Sequence, residues 1–147
     1  MKSCFFIGHR EASSELLGRL GEAIERHIIE YGVTEFIVGN SGGFDRVAAK
    51  ALAEAKKRHP EIRLSMLIAY HPAQRPMQLP PEFDNSFYPP GMENVPRRFA
   101  ILRANRYMAD HCDYLIAYVW HTASKARELM EYAERKGISI TNIAEAE

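Results

Sequence analysis

The sequence predicts an α/β fold: a single Rossmann-like three-layer domain with a mainly parallel five-stranded sheet and helices on both faces. Three observations predict it. Short apolar runs alternate with segments of helical periodicity along most of the 147 residues. Glycines mark several of the joins, and strands separated by helices become parallel neighbours because parallel pairs need crossover connections.

Ser3 to Ile7 is apolar and stops at Gly8-His9-Arg10, a first strand. Ser13-Ser14-Glu15 opens a segment with Leu16, Leu17, Leu20, Ile24 and Ile28 at helical spacing, closed by Gly32 in a left-handed conformation at the first position past the helix. Val33 to Val38 reads as a second strand and Asp45 to Arg58 as a second helix, with Val47, Ala48, Ala51, Leu52 and Ala55 on one side. Ile62 to Ala69 is a third strand.

From Tyr70 the rhythm fails over residues 70–95, where Pro72, Pro76, Pro80, Pro81, Pro89 and Pro90 mix with Phe83, Phe87 and Tyr88. A structureless insertion this long is uncommon inside a compact domain. It reads either as a binding loop or lid, or as a loop packed on the domain or on a second subunit, which makes it the candidate interface of a homo-oligomer. Alternation resumes with a helix over Val95 to His111, a strand over Tyr114 to Val119, a helix over Ser124 to Lys136 ended by Gly137, and a last strand over Ile138 to Ile143.

A chain of this length buries roughly two thirds of the surface that its unfolded form exposes, so it needs no disulfide. Cys4 and Cys112 lie far apart, in or beside apolar runs, which fits free thiols in a reducing compartment; the expected location is the cytoplasm. The apolar start, Met1 to Gly8, is too short for a signal peptide, and no stretch approaches a membrane span, so no membrane partner is expected. Nineteen Lys and Arg balance nineteen Asp and Glu. On that balance nucleic acid is not expected as a partner, and any anion site must be local.

The run Phe36-Ile37-Val38 breaks into Gly39-Asn40-Ser41-Gly42-Gly43-Phe44-Asp45 and leads into the second helix. Glycines have no Cβ, so amides at a helix start can approach an anion closely, most often a phosphate. The same turn also serves as a plain corner, and its spacing matches neither Gly-x-Gly-x-x-Gly nor a loop completed by Lys-Ser or Lys-Thr. In an open parallel sheet, ligands bind outside the carboxyl ends of the strands, near a topological switch point. Those ends deliver Gly8-His9-Arg10, the Gly39 to Gly43 turn, Tyr70-His71 and Trp120 to Ser124 toward one rim.

Three pieces span nearly the whole chain: Phe6-Ile7-Gly8-His9-Arg10; Gly42-Gly43-Phe44-Asp45 with Ala48-Ala49; and Asn105-Arg106-Tyr107-Met108-Ala109-Asp110 leading into Cys112 to Ala117. With the Tyr132-Ala133 helix and the Ile138 strand they resemble the SLOG superfamily of Rossmannoid proteins, which includes the Smf/DprA and LOG-type proteins, and most closely its small YpsA-like members. The resemblance implies a small-molecule nucleotide or ADP-ribose-like ligand at the strand ends, its phosphate held by backbone amides, in a sensing module. For LOG-type members it implies instead hydrolysis of the N-glycosidic bond of nucleoside monophosphates.

The chain departs from that pattern in two places. The family's Gly-Gly-Thr motif after the fourth strand is replaced by Ser124-Lys125-Ala126, where Ser124 would cap the helix and Lys125 and Arg127 would supply charge. The LOG-type catalytic Arg and Glu fall on Ala104 and Leu129. Arg103 and Glu128 lie one residue away, but one residue turns a helical side chain by about 100°. No complete catalytic motif is present and catalytic residues stay unassigned.

The candidate ligand and phosphate residues are Gly8, His9, Arg10, Gly39, Asn40, Ser41, Gly42, Gly43, Asp45, Asn105, His121, Ser124 and Lys125. Arg10 suits bidentate phosphate pairing, against a surface ion pair. Asp45 either binds a ribose hydroxyl or, as its residue type favours, caps the second helix. His9, His71 and His121 fall on the same rim at spacings that match no compact metal motif, so no metal is assigned and hydrogen bonding is their expected role.

Trp120 either stacks on a base or, as strand-end aromatics more often do, packs in the core. Arg97, Arg98, Arg103 and Arg106 read as a solvated face; the alternative is a surface for a phosphate chain or single-stranded nucleic acid, as in DprA-type relatives. No cofactor is called for beyond the nucleotide or ADP-ribose-like ligand. Three functions compete: a binding or sensing module, a LOG-type phosphoribohydrolase, and DprA-like single-stranded DNA binding.

Overall fold

Apolar residues on both faces of the central strands, Cys4 and Phe6 against one layer of helices and Phe5 and Ile7 against the other, build a parallel sheet covered on two sides. The computed structural model describes residues 2–145. Its elements run β1 (Ser3–Gly8), α1 (Leu17–Ile29), β2 (Glu35–Val38), α2 (Gly43–Arg58), β3 (Arg63–Leu67), β4 (Asn85–Phe87), α3 (Ala100–His111), β5 (Tyr114–Tyr118), α4 (Lys125–Arg135) and β6 (Ser139–Asn142). The strand order is β4-β3-β2-β1-β5-β6, all pairs parallel. The fold is Rossmann-like.

Register sets the faces. Phe5 lies beside Ile37 of β2 and Leu115 of β5, and all three pack with Ala104 and Met108 of α3 and Leu129 and Ala133 of α4. Phe6, Phe36 and Leu64 point the other way, onto Leu20 and Ile24 of α1 and Ala48 and Leu52 of α2. The alanines of α2 let its backbone lie close to the sheet, and Phe44 fills the space at its first turn. Cys4 and Cys112 are buried free thiols, one in each layer; burial pushes the Cys112 thiol up to about 12.

The expected five strands are six. β4 has only three residues, polar at two of them and set among prolines, so it carries no apolar run to reveal it. It is held from outside: Asp84 accepts the Leu64 N–H at 2.8 Å and the Lys56 ammonium at 2.9 Å, and Ser65 Oγ donates to Asn85 Oδ1 at 2.5 Å. The insertion is therefore not structureless; it also holds a 3₁₀ turn at Met92–Asn94. The helix expected from Val95 starts later, as a 3₁₀ turn at Arg97–Phe99, because Pro96 holds the preceding Val95 in an extended conformation (φ -93°, ψ 130°), and the helix expected after Ser13 likewise opens with a 3₁₀ turn, Ser14–Leu16.

Gly32 takes the predicted left-handed conformation (φ 70°) two residues beyond the capping Glu30 rather than directly after it. Gly137 (φ 86°) closes α4: its N–H reaches the Glu134 carbonyl and the Ile138 N–H the Ala133 carbonyl, the paired bonds of a Schellman motif. No helix among the described residues is long and apolar enough to cross a membrane.

Candidate functional site

The chain passes from β1 outward to β2, β3 and β4 on one side and returns to β5 and β6 on the other, so the switch point lies between β1 and β5. At their carboxyl ends His9 joins the two strands. Its Nε2 accepts the Trp120 N–H at 3.0 Å and the His121 N–H at 3.2 Å. A nitrogen that accepts carries no proton, so the neutral ring holds its hydrogen on Nδ1. Burial lowers the pKa of His9, helped by the charges of His121 and Arg127. Arg127 in turn donates from Nε to the His121 carbonyl at 2.6 Å.

The glycine turn is built for protein contacts. A Cβ on Gly43 would stand 2.5 Å from the Arg10 carbonyl oxygen, and the Gly43 N–H already donates to that oxygen at 2.7 Å. A Cβ on Gly8 would lie 2.3 Å from the Phe44 ring, and one on Gly39 would lie 2.9 Å from Asp45 Oδ2. Asp45 is the third residue of α2, not its N-cap, which is Gly42. Its Oδ2 accepts the Ser41 N–H at 3.0 Å and the Ser41 hydroxyl at 3.2 Å. Burial raises the Asp45 pKa, against the pull of these two bonds. The amides of Ser41 and Gly43 are thus engaged internally, and the expected amide cradle at this turn is corrected to that extent.

Beside the turn lies a cavity of about 390 Å³. β1 and its loop supply Gly8, His9 and Arg10; the glycine turn supplies Ser41, Gly42 and Asp45; α4 supplies Ser124, Lys125 and Ala126. The fourth wall is Arg98 with Ile101, Leu102 and Asn105 of α3. Ser124 caps α4 by accepting the Arg127 N–H at 3.1 Å, which leaves Lys125 and Ala126 as the first two helical residues on the cavity wall. Amides at those positions have no partner within a helix, and the helix dipole places positive charge there. Arg10, Arg98 and Lys125 make no ion pair among the described residues.

Nine of the candidate residues meet at this cavity: Gly8, His9, Arg10, Ser41, Gly42, Asp45, Asn105, Ser124 and Lys125. Four do not line it. Gly39 and Gly43 sit behind it, Asn40 faces a neighbouring hollow, and His121 contributes its backbone to the His9 latch. Arg127 is held by the His121 carbonyl and sits 4.0 Å from Glu131, so it is not the free charge expected at α4. Trp120 is 54% exposed and contacts the His9 ring edge-on at 5.0 Å, so it is not a core residue.

Sequence reasoning gave Arg98 a solvated face, with a phosphate-chain surface only as the alternative, and did not assign Ile101, Leu102 or Leu129 to the cavity that they line. The signal was available in part: Arg98, Ile101, Leu102 and Asn105 follow i, i+3, i+4, i+7 spacing, one face of a helix with a cation at its start. The four arginines of that stretch do separate. Arg98 lines the cavity, Arg97 lies over the Tyr70 ring, Arg106 lies over Tyr132, and Arg103 is exposed. Ala104 is buried and Leu129 lines the cavity, whereas Glu128 is exposed and does not. His71 is occupied elsewhere, accepting the Ala73 N–H at 3.0 Å, and no group of three or more His, Cys, Asp or Glu that could hold a metal occurs among the described residues.

No family model and no curated protein matches the chain. Solved structures that share its fold include two DNA processing proteins. DNA processing protein A (DprA) from Streptococcus pneumoniae aligns with a TM-score of 0.67 at 18% identity, over 95% of this chain and 49% of that one. The DNA processing protein A from Helicobacter pylori, whose structure concerns a single-stranded DNA binding mode, aligns with a TM-score of 0.59 at 15% identity, over 95% of this chain and 63% of that one. The chain thus spans about half to two thirds of each. The expectation that nucleic acid is no partner, drawn from a net charge of zero, is withdrawn: a protein of this fold binds single-stranded DNA. Net charge averages over the surface, while phosphates respond to local cations such as Arg10, Arg98 and Lys125.

Proposed function

We propose that the cavity between β1, α3 and α4 binds the phosphate of a nucleotide or nucleotide derivative, in a SLOG-type Rossmannoid domain of the cytoplasm. The observation that carries this is the convergence of Arg10, Arg98 and Lys125, none of them ion-paired among the described residues, on the first turn of α4. A dianionic phosphate there meets cations and helix-terminal amides together, an arrangement that suits charge-assisted hydrogen bonds. Asp45 supports the nucleotide reading, since both Ser41 bonds go to Oδ2 and Oδ1 stays free to accept from a ribose hydroxyl. The buried free thiols agree with a reducing compartment.

Binding is favoured over glycosidic hydrolysis because the wall at the α4 position holds Leu129, which cannot move a proton, and Asp45 is the one carboxylate of the lining among the described residues. A second reading is single-stranded DNA binding, favoured by the fold shared with the Helicobacter pylori protein. Thermal melting with AMP, ADP, ADP-ribose and NAD, beside a low-salt gel shift with single-stranded DNA, tests both. The nucleotide reading expects a concentration-dependent rise in melting temperature; no rise at millimolar ligand contradicts it.

A further inference from the structure

A second hollow of about 370 Å³ adjoins the first. The two share Arg10, Ser41 and Ile101, so Arg10 stands between them. The far wall comes from the insertion after β3: Tyr70, Arg75 and Met77, facing Asn40 of the glycine turn. Among the described residues no carboxylate lines this hollow. The Arg75 guanidinium lies 4.2 Å over the Tyr70 ring, and Arg97 lies 5.3 Å over the same ring. Neither arginine is ion-paired among the described residues.

An aromatic ring orients a guanidinium but does not neutralise it. Arg10 and Arg75 therefore bring two positive charges to one hollow without an acidic partner among the described residues, a cost that a bound anion relieves, while Arg97 belongs to a neighbouring hollow that also holds Glu93. Each hollow alone is near the lower end of the size of ligand sites, about 300 Å³, whereas the pair suits a ligand larger than a mononucleotide.

We propose that this second hollow is a second phosphate subsite, so that the ligand class is a two-nucleotide unit: one phosphate at Arg98 and Lys125, the next between Arg10 and Arg75. This rests on the nucleotide reading above. The shared chemistry is a phosphodiester-linked pair of nucleotides, whether free or part of a single strand.

Calorimetric titration of the wild-type protein and of Arg75→Gln with AMP, 5′-phosphorylated diadenylate and a short oligothymidylate tests it. Arg75 is exposed, so its replacement leaves the fold intact. The wild type binds diadenylate about ten-fold tighter than AMP, the effect of one added charge-assisted contact, and Arg75→Gln removes that margin while keeping AMP affinity. Oligothymidylate binding tighter than diadenylate assigns the subsite to a strand; the reverse assigns it to a free dinucleotide. Equal affinities for AMP and diadenylate, or an Arg75→Gln variant that keeps the margin, overturn the subsite alone. Binding of none of the three probes overturns the nucleotide reading itself.

Discussion

The Gly43 N–H donates to the Arg10 carbonyl at 2.7 Å, across a gap that no Cβ could occupy. This contact fixes the start of α2 against the loop after β1 and places Arg10 on the cavity wall. The glycine that looks made for a ligand is thus made for the backbone that carries a cavity-lining arginine.

Gly43→Ala should lower stability by about 1–3 kcal/mol, because the new methyl sits 2.5 Å from backbone oxygen that cannot swing aside. Urea denaturation measures it. Stability equal to the wild type would show that the two segments are free to part.

Gly8 and Phe44 form a testable pair. Phe44→Ala alone should cost about 3–5 kcal/mol as a buried aromatic is lost. Gly8→Ala should be strongly destabilising alone, since its methyl meets the ring at 2.3 Å, and much milder in the Phe44→Ala background. Additive effects in the double-mutant cycle would deny the contact.

Acid should loosen the rim. The folded pKa of His9 lies below its ordinary value of 6.5, chiefly through burial, so the folded protein binds fewer protons there than the unfolded chain. The stability contributed is full above about pH 6.5 and is lost as pH falls through the lowered folded value. His27, buried with Nδ1 2.7 Å from the Ala23 carbonyl and its pKa also lowered by burial, adds a dependence of the same sign. His9→Ala should melt below the wild type at neutral pH, with the gap narrowing on acidification; His27 is common to both and cancels. A gap independent of pH would remove His9 as the latch.

Charge removal should separate binding from folding. Arg98→Ala and Lys125→Ala should each weaken a phosphate ligand about ten-fold, the loss of one charge-assisted bond. Each should change stability by no more than about 0.5 kcal/mol, because neither side chain is ion-paired among the described residues. Glu128→Gln, outside the cavity lining, should leave affinity unchanged.

The alternation of strand and helix was legible because each central strand is apolar and each helix carries a regular buried stripe. β4 was not, since Asn85 and Ser86 give no hydrophobic signal and the strand is held by Asp84 and Asn85 contacts from residues about twenty positions away. At the site, Gly8 to Arg10 and Ser124-Lys125 were legible from their places after strands. What the glycines touch was not: whether a missing Cβ makes room for a ligand or for Phe44 and Arg10 depends on packing between distant segments. Arg98 was harder to single out among neighbouring arginines, and only its spacing with Ile101, Leu102 and Asn105 marks it in the sequence.

Amide chemical-shift mapping of the isotope-labelled protein during titration with AMP tests phosphate binding at the first turn of α4. The largest shifts are expected at the Lys125 and Ala126 amides and at Arg10, with saturation. Shifts confined to other surfaces, or a spectrum unchanged at millimolar AMP, would contradict it.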